Sequence, residues 1–160
     1  MSLFSGIKDA SVSKSGQYFK PGHYKVKIKA VKMTKSQAAP SQMFFIIETE
    51  VLESDNPDIS PGSERSQVID MSNVMALPNV KAFVAAASGV EPTSETVNEE
   101  VEKYWSDLMG EHISFDVLCD RLVSDSNPLE GLEMFLECIN IVTKKEKKDF
   151  TKHMWSRREV

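Results

Sequence analysis

The sequence contains few of the residues that mark a secreted or metal-binding protein. Among its 160 residues, Cys119 and Cys138 are the only cysteines. They have no C-x-x-C spacing and lie among apolar residues, so buried free thiols are favoured over a disulfide. The three histidines are isolated and form no H-E-x-x-H motif or Cys/His cluster, which argues against a structural zinc site. We therefore expect neither a metal nor another cofactor.

Long apolar runs are also lacking. No stretch approaches the roughly 18 apolar residues that a membrane-spanning helix needs, and the opening MSLFSGIKDASVSK lacks the apolar segment of a secretion signal. These absences predict a cytoplasmic protein without membrane association. The length is about that of one domain, which is enough to bury a sizeable core.

Catalytic motifs are absent as well. The sequence has no G-x-x-x-x-G-K-[ST] loop, G-x-S-x-G elbow or dinucleotide fingerprint. Metal-dependent nucleases need an acidic pair with a lysine nearby, and no E-x-K follows Pro57 and Asp58. Glu48, Glu50 and Asp70 could converge between two strands, but carboxylates on a partly exposed sheet are usually solvated or paired with lysines. We therefore predict that the protein is not an enzyme.

Charge is distributed unevenly along a chain whose net charge is −5. Residues 1–35 contain eight lysines against one aspartate, and residues 144–160 contain seven Lys or Arg against three acidic residues. Most of the acidic residues lie in the middle, at 36–143. The chain therefore forms a positive surface if its two basic ends meet in space.

The first half of the chain reads as three β-strands after an irregular arm at 1–22. Alternation is regular from His23 in HYKVKIKAVKM, and its slip predicts a bulge near Ala30. MFFIIETEVLE and SERSQVIDM follow as a second and a third strand, joined by the turn-rich SDNPDISPG. One side of the first strand carries lysines and the other carries Tyr24, Val26, Ile28 and Ala30.

The period changes after Met71, which predicts a helical insertion at about 77–123. Pro78 and Gly89 are placed to begin and end a first helix. A capping box of Thr96 and Glu99 opens a second helix. ISFDVLCDRLVSDSNP suits a strand or a helix, and we favour the helix.

Two further strands, GLEMFLECINIVTKK and EKKDFTKHMWSRR, complete the pattern. In the last strand Phe150, Lys152 and Met154 share one side. The other side carries Thr151, His153, Trp155 and Arg157. Three strands, helices and two strands indicate a mainly β fold with inserted helices, namely an OB-fold-like five-stranded barrel at 23–160 with its helices between strands three and four.

Several short motifs carry a resemblance to a known family. LFSGIKDASVSKSGQYFKPGHYKVKIKAVKM, the two turns SDNP and SDSNPLEG, and the closing DFTKHMWS resemble small bacteriophage proteins associated with single-stranded DNA binding. The resemblance implies an OB-fold-like protein of an infected host cell, acting in DNA replication or recombination. The acidic segment from Glu91 to Glu111 looks like a lengthened insertion that the resemblance does not explain.

Single-strand binders combine a cationic groove for phosphates with aromatic faces on which bases stack. Alternating lysines also solubilise an outer strand face, and Trp155 also suits core packing, so both interpretations stay open. For Phe150, beside Met154, core packing is favoured. The candidate interface consists of Tyr18, Phe19, Lys25, Lys27, Lys29, Arg65, Lys144, Lys145, Lys147, Lys148, Lys152, His153, Trp155 and Arg157.

Two functional hypotheses follow. The first is a sequence-independent single-stranded DNA-binding protein, with RNA as a further ligand and replication or recombination proteins as partners. The second is a phage-encoded inhibitor that docks on a host protein through its acidic middle region, in which case the lysines only confer solubility. The acidic helix at 96–109 suits core packing with a solvated acidic face, or recruitment of a protein partner.

Overall fold

The described residues of the chain form five β-strands and three α-helices. The structure, a computed structural model, describes residues 18–35, 42–124, 127–142 and 149–157. The elements are β1 (Gly22–Lys35), β2 (Met43–Ser54), β3 (Glu64–Asp70), α1 (Ala76–Ala87), α2 (Val97–Met109), α3 (Phe115–Leu122), β4 (Glu133–Val142) and β5 (Asp149–Ser156). The predicted mainly β architecture, with helices between the third and fourth strands, is confirmed.

The strands form one antiparallel sheet in the order β3-β2-β1-β4-β5. β1 to β3 are joined as a meander, and β4 returns through the helical segment to lie beside β1. Three consecutive strands and a fourth that pairs with the first form a Greek key. β1 therefore lies at the centre of the sheet.

The sequence predicts a five-stranded barrel, but the described strands form an open sheet and do not close into a barrel. Within the described ranges β3 and β5 are the two edge strands and do not pair with each other. Tyr18 occupies the outer edge of β3 through a parallel bridge to Ser66. Side chains span the gap, since Trp155 Nε1 donates to Gln67 Oε1 at 2.8 Å, and α1 contacts both edge strands. The backbone groups of β3 at Ser66 are thus taken by the arm instead of by β5.

The core lies between one face of the sheet and the helices. In β1, Tyr24, Val26 and Ile28 are buried, as the alternation predicts. The register between β1 and β2 shifts between Ile28 and Ala30, which confirms the predicted bulge and makes Val31 the next buried residue. A bulge inserts one unpaired residue and thereby exchanges the faces beyond it.

Two small residues at the end of α1, Ser88 and Gly89, determine how this helix ends and how it contacts α2. Gly89 has a φ of +74°, a left-handed conformation in which an L side chain is strained, and it follows the end of α1. α1 is joined to α2 through Ser88, whose Oγ accepts from the buried Trp105 Nε1 at 2.8 Å. The predicted capping box at Thr96 is wrong, since Thr96 Oγ1 donates to Glu100 Oε2 at 3.1 Å and makes no cap hydrogen bond.

Candidate nucleic-acid interface

The lysines of β1 point outward, but most of them face carboxylates on the neighbouring strands. We call the side of the sheet opposite the core the outward face. Lys25 Nζ lies 3.4 Å from Glu133 Oε1 and 3.8 Å from Glu53 Oε2. Lys27 is directly opposite Glu50 in the register of β1 and β2. These lysines of β1 therefore lie next to carboxylates of the two neighbouring strands.

Two further lysines of β1, Lys29 and Lys32, follow the same pattern. Lys29 Nζ is 3.1 Å from Glu64 Oε1, and this hydrogen bond raises the pKa of Lys29. Lys32 Nζ is 3.0 Å from Glu48 Oε1. Exposed ion pairs of this kind contribute roughly 0 to 1 kcal/mol to stability. A phosphate can therefore replace the carboxylate beside each lysine, but it has to compete with that carboxylate.

Trp155 and His153 lie on the core face of β5. They pair across the sheet with the buried Leu136 and Cys138, so the predicted shared face of these rings is turned toward the interior. Trp155 meets Phe83 edge to face at a centroid distance of 5.1 Å. Burial lowers the pKa of His153 to about 4. Neither ring offers a flat, exposed platform for a base.

The arm residues differ from each other. Phe19 is only 4 % exposed and packs against Tyr24 and Trp155, with ring centroids 5.1 and 6.5 Å away. Tyr18 is 39 % exposed. Arg65 Nη1 donates to the Tyr18 carbonyl at 3.3 Å, which ties the guanidinium to the arm. Of the two predicted stacking rings in the arm, only that of Tyr18 is accessible.

The remaining predicted residues fall into three groups. Arg157 is held by α2, because its Nη1 donates to Tyr104 Oη at 3.0 Å and its guanidinium lies 5.8 Å from the ring centroid. Lys152 is exposed, and its pairing with Ile139 places it on the outward face of the sheet. The predicted lysines of the turn between β4 and β5 lie outside the described residues: Lys144, Lys145, Lys147 and Lys148.

Two aromatic residues on the outward face are Phe135, which the sequence did not single out, and Phe150, a further stacking candidate for which core packing was favoured. Phe135 pairs with Ser156, and Phe150, which is 47 % exposed, pairs with Ile141. The core position favoured for Phe150 is therefore wrong. A signal existed in EMFLECINIV, where the row that alternates with the buried Met134, Leu136 and Cys138 contains three apolar residues, Phe135, Ile139 and Ile141, beside Glu133 and Glu137. An outward row that is this apolar differs from the polar row expected of a solvated strand face.

A groove of about 550 Å³ lies on the outward face where β1, β4 and β5 meet the end of β2. Phe135 and Met154 line it as apolar surface. Lys25, also a lining residue, places its Nζ 5.9 Å from the Phe135 ring centroid, within the range of a cation–π contact. Glu53, Asp55 and Glu137 supply carboxylates to the lining.

His23 connects two of these carboxylates. Its backbone N–H and Nδ1 contact Asp55 Oδ1 at 2.7 Å and Oδ2 at 2.9 Å, while Nε2 lies 3.3 Å from Glu137 Oε2. The hydrogen bond to Asp55 raises the pKa of His23, and the His23 backbone N–H lowers the pKa of Asp55. The groove therefore carries a charge network that joins β1, β4 and the turn after β2.

Two of the carboxylates considered for a convergence between β2 and β3, Glu48 and Asp70, have other partners. Glu48 faces Lys32, and Asp70 accepts from Gln42 Nε2 at 2.7 Å and from the Ser72 backbone N–H at 2.9 Å, which lowers its pKa. In the described part of the chain no three His, Cys, Asp or Glu side chains are grouped to hold a metal ion. None of the described helices is long and apolar enough to span a membrane.

Comparison with protein-family models and with curated protein sequences gives no match to this chain.

Proposed function

We propose that this protein binds single-stranded DNA without sequence specificity, as a non-enzymatic protein of phage replication or recombination. The observation that carries the proposal is the outward face of β1, β4 and β5, which combines the exposed Phe150 and the half-buried Phe135 with lysines. Phe135 and Phe150 lie on the same face as Lys25 and Lys152. Stacked bases and paired phosphates need this combination of side chains.

The topology supports an OB-fold-like interpretation of the sheet. The Greek-key order, the helices between β3 and β4, and the side-chain bridge from Trp155 to Gln67 are features of a partly open five-stranded barrel. Proteins of this architecture bind oligonucleotides on a strand face and on the turns beside it. The sequence between β4 and β5 contains four lysines at 144–148, all of them predicted site residues that lie outside the described residues.

In the proposed mechanism, base stacking contributes a larger share of the binding free energy than it would in a purely basic groove. Each neutralised single-strand phosphate contributes about −0.7 to the slope of log affinity against log salt. The β1 lysines already face carboxylates, so we expect them to add little to this slope. Each stacked base contributes roughly 1 to 3 kcal/mol and is largely independent of salt.

The test is a titration of a fluorescently labelled mixed-sequence oligonucleotide, single-stranded and duplex, at several salt concentrations. A label on the DNA is needed because Trp105 is buried and Trp155 packs on Phe83, so neither indole is expected to report stacking. We expect Lys152→Gln to reduce the magnitude of the salt slope by about 0.7. Lys103→Gln, in α2 and paired with Asp107, is the matched control.

Equal affinity for duplex and single strands would contradict the proposal, as would a salt slope unchanged by Lys152→Gln. RNA of the same sequence, titrated in parallel, determines whether the ligand class includes RNA.

A second candidate is the interaction protein that docks on a host protein. Exposed apolar side chains at the start of α1 favour it, since Val74 is 89 % and Leu77 72 % exposed. The neutralised lysine row favours it as well. Two results together would select this function. Oligonucleotide affinity would be unchanged after Lys25, Lys27 and Lys29 are all replaced by glutamate. The protein would also capture one host protein, and Val74→Ser and Leu77→Ser would abolish that capture.

A further inference from the structure

The groove beside His23 combines an aromatic floor with hydrogen-bond acceptors, which is an unusual lining for a site that contacts only phosphates. Phe135 and Met154 provide apolar surface, and the carboxylates of Glu53 and Glu137 lie around it. An ionised carboxylate accepts hydrogen bonds and repels phosphate. A ligand group that suits this lining is flat, apolar on its faces and rich in donors at its edge.

We propose that the groove binds a nucleobase with an exocyclic amino group, which stacks on Phe135 and donates to a rim carboxylate. The inference rests on the proposed single-strand binding and assigns a base preference to it. Cytosine and adenine each present an amino donor at the edge, whereas thymine and uracil present a carbonyl oxygen at the corresponding position. A carbonyl directed at a carboxylate is repelled, so the groove disfavours thymine and uracil.

The contacts of the rim leave acceptors available. Glu137 uses Oε2 toward His23, and Glu53 uses Oε2 toward Lys25. For the second oxygen of each, the described part of the chain provides no hydrogen-bond donor. Asp55 differs, because both of its oxygens contact His23. Glu137 and Glu53 are therefore the groups that receive the amino donor.

Size and charge accommodate one nucleotide. A volume of about 550 Å³ lies within the range of small-molecule sites, roughly 300 to 1,000 Å³. Lys25 Nζ lies over the Phe135 ring, so a base that stacks there displaces the ammonium toward the phosphate that follows, with which it can pair. The ring and the ammonium thus act on neighbouring parts of one nucleotide.

The experiment compares oligo(dC) with oligo(dU) of equal length at pH 7.5 and constant salt. At position 4 of the ring, the first base has an amino group and the second a carbonyl. We expect oligo(dC) to bind about three- to tenfold more tightly, as one charge-assisted hydrogen bond allows. Glu137→Gln, whose amide can donate as well as accept, reduces this ratio to below about twofold. Glu64→Gln, at the start of β3 and paired with Lys29, lies outside the groove lining and leaves the ratio unchanged.

A second measurement locates the base. In protein labelled with ¹³C at the methionine methyl groups, oligo(dC) shifts the Met154 signal and leaves that of Met75, an exposed residue before α1, in place. Equal affinity for the two oligonucleotides, or an unmoved Met154 signal, overturns the groove assignment and leaves single-strand binding intact. Failure of both oligonucleotides to bind overturns the proposed function itself.

Discussion

The outward side of β1 and the outward side of β4 and β5 differ in a way that the sequence conceals. β1 contains the most conspicuous charge pattern of the chain, yet Lys25, Lys29 and Lys32 each face a glutamate. β4 and β5 have less conspicuous sequences, yet their outward side carries the half-buried Phe135, the exposed Phe150 and Lys152. Whether a charged side chain on one strand is available to a ligand depends on the side chains of the strands that flank it.

The largest effect expected from this comparison concerns the two sides of β5. Trp155→Ala should lower the free energy of unfolding by about 3 kcal/mol, because it removes a ring that packs on Phe83 and a hydrogen bond to Gln67. Phe150→Ala, on the opposite side of the same strand, should cost less than about 1 kcal/mol. Urea unfolding monitored by circular dichroism measures both variants. Equal losses would mean that the two faces of β5 are assigned the wrong way round.

Acid should weaken the fold through His153. Burial lowers its pKa to about 4 from the ordinary value of 6.5, so the unfolded chain binds the proton more readily between those values. Stability is therefore complete above pH 6.5 and decreases as the pH falls toward 4, by up to roughly 3 kcal/mol from this residue. His153→Gln should flatten that part of the curve in urea titrations at stepped pH. His112→Gln, at an exposed position, should leave the wild-type slope.

Binding should depend on the outward ring of β5. Phe150→Ala removes a stacking surface and should weaken the affinity for a mixed single strand about fivefold or more, since a stacked base contributes roughly 1 to 3 kcal/mol. Fluorescence anisotropy at fixed salt measures the change. Leu108→Ala, which shortens an exposed apolar side chain of α2, should have no effect. A loss of affinity for both variants would point to an altered fold instead of a lost contact.

The smallest effect should come from the lysine row. Lys29→Gln breaks an exposed pair with Glu64, and such pairs contribute about 0 to 1 kcal/mol, so the unfolding free energy should change by less than about 1 kcal/mol. Its effect on the salt slope should also be smaller than that of Lys152→Gln. A larger slope change at Lys29 would restore β1 as the principal phosphate-binding strand.

Much of the architecture could be predicted because it depends on local patterns. The order of strands and helices follows from periods of two and of 3.6, and the bulge at Ala30 follows from a slip in alternation. The open edge was not predictable in the same way, since it depends on Tyr18 reaching Ser66 from a distant part of the chain. Thr96 lost its capping role because Glu100 attracts its hydroxyl.

The candidate site was harder to predict than the fold. Alternation correctly separated Phe150, Lys152 and Met154 from His153 and Trp155. It did not reveal which of the two rows faces the core, because both contain apolar rings. That choice is made by Phe83 of α1 and by Phe19 of the arm, which pack against Trp155. The carboxylates opposite the lysines depend in the same way on register, which no single strand encodes.

The bridge between Tyr18 and Ser66 covers one point on the outer edge of β3. An unoccupied sheet edge is a template on which another chain can add a strand. Here the molecule's own leading segment fills that position, and Phe19 anchors it in the interior. A shortened chain that began at Gly22 would lack both Tyr18 and Phe19. The exposed edge of β3 could then pair with a strand of a neighbouring molecule, and repeated pairing of this kind would produce fibres.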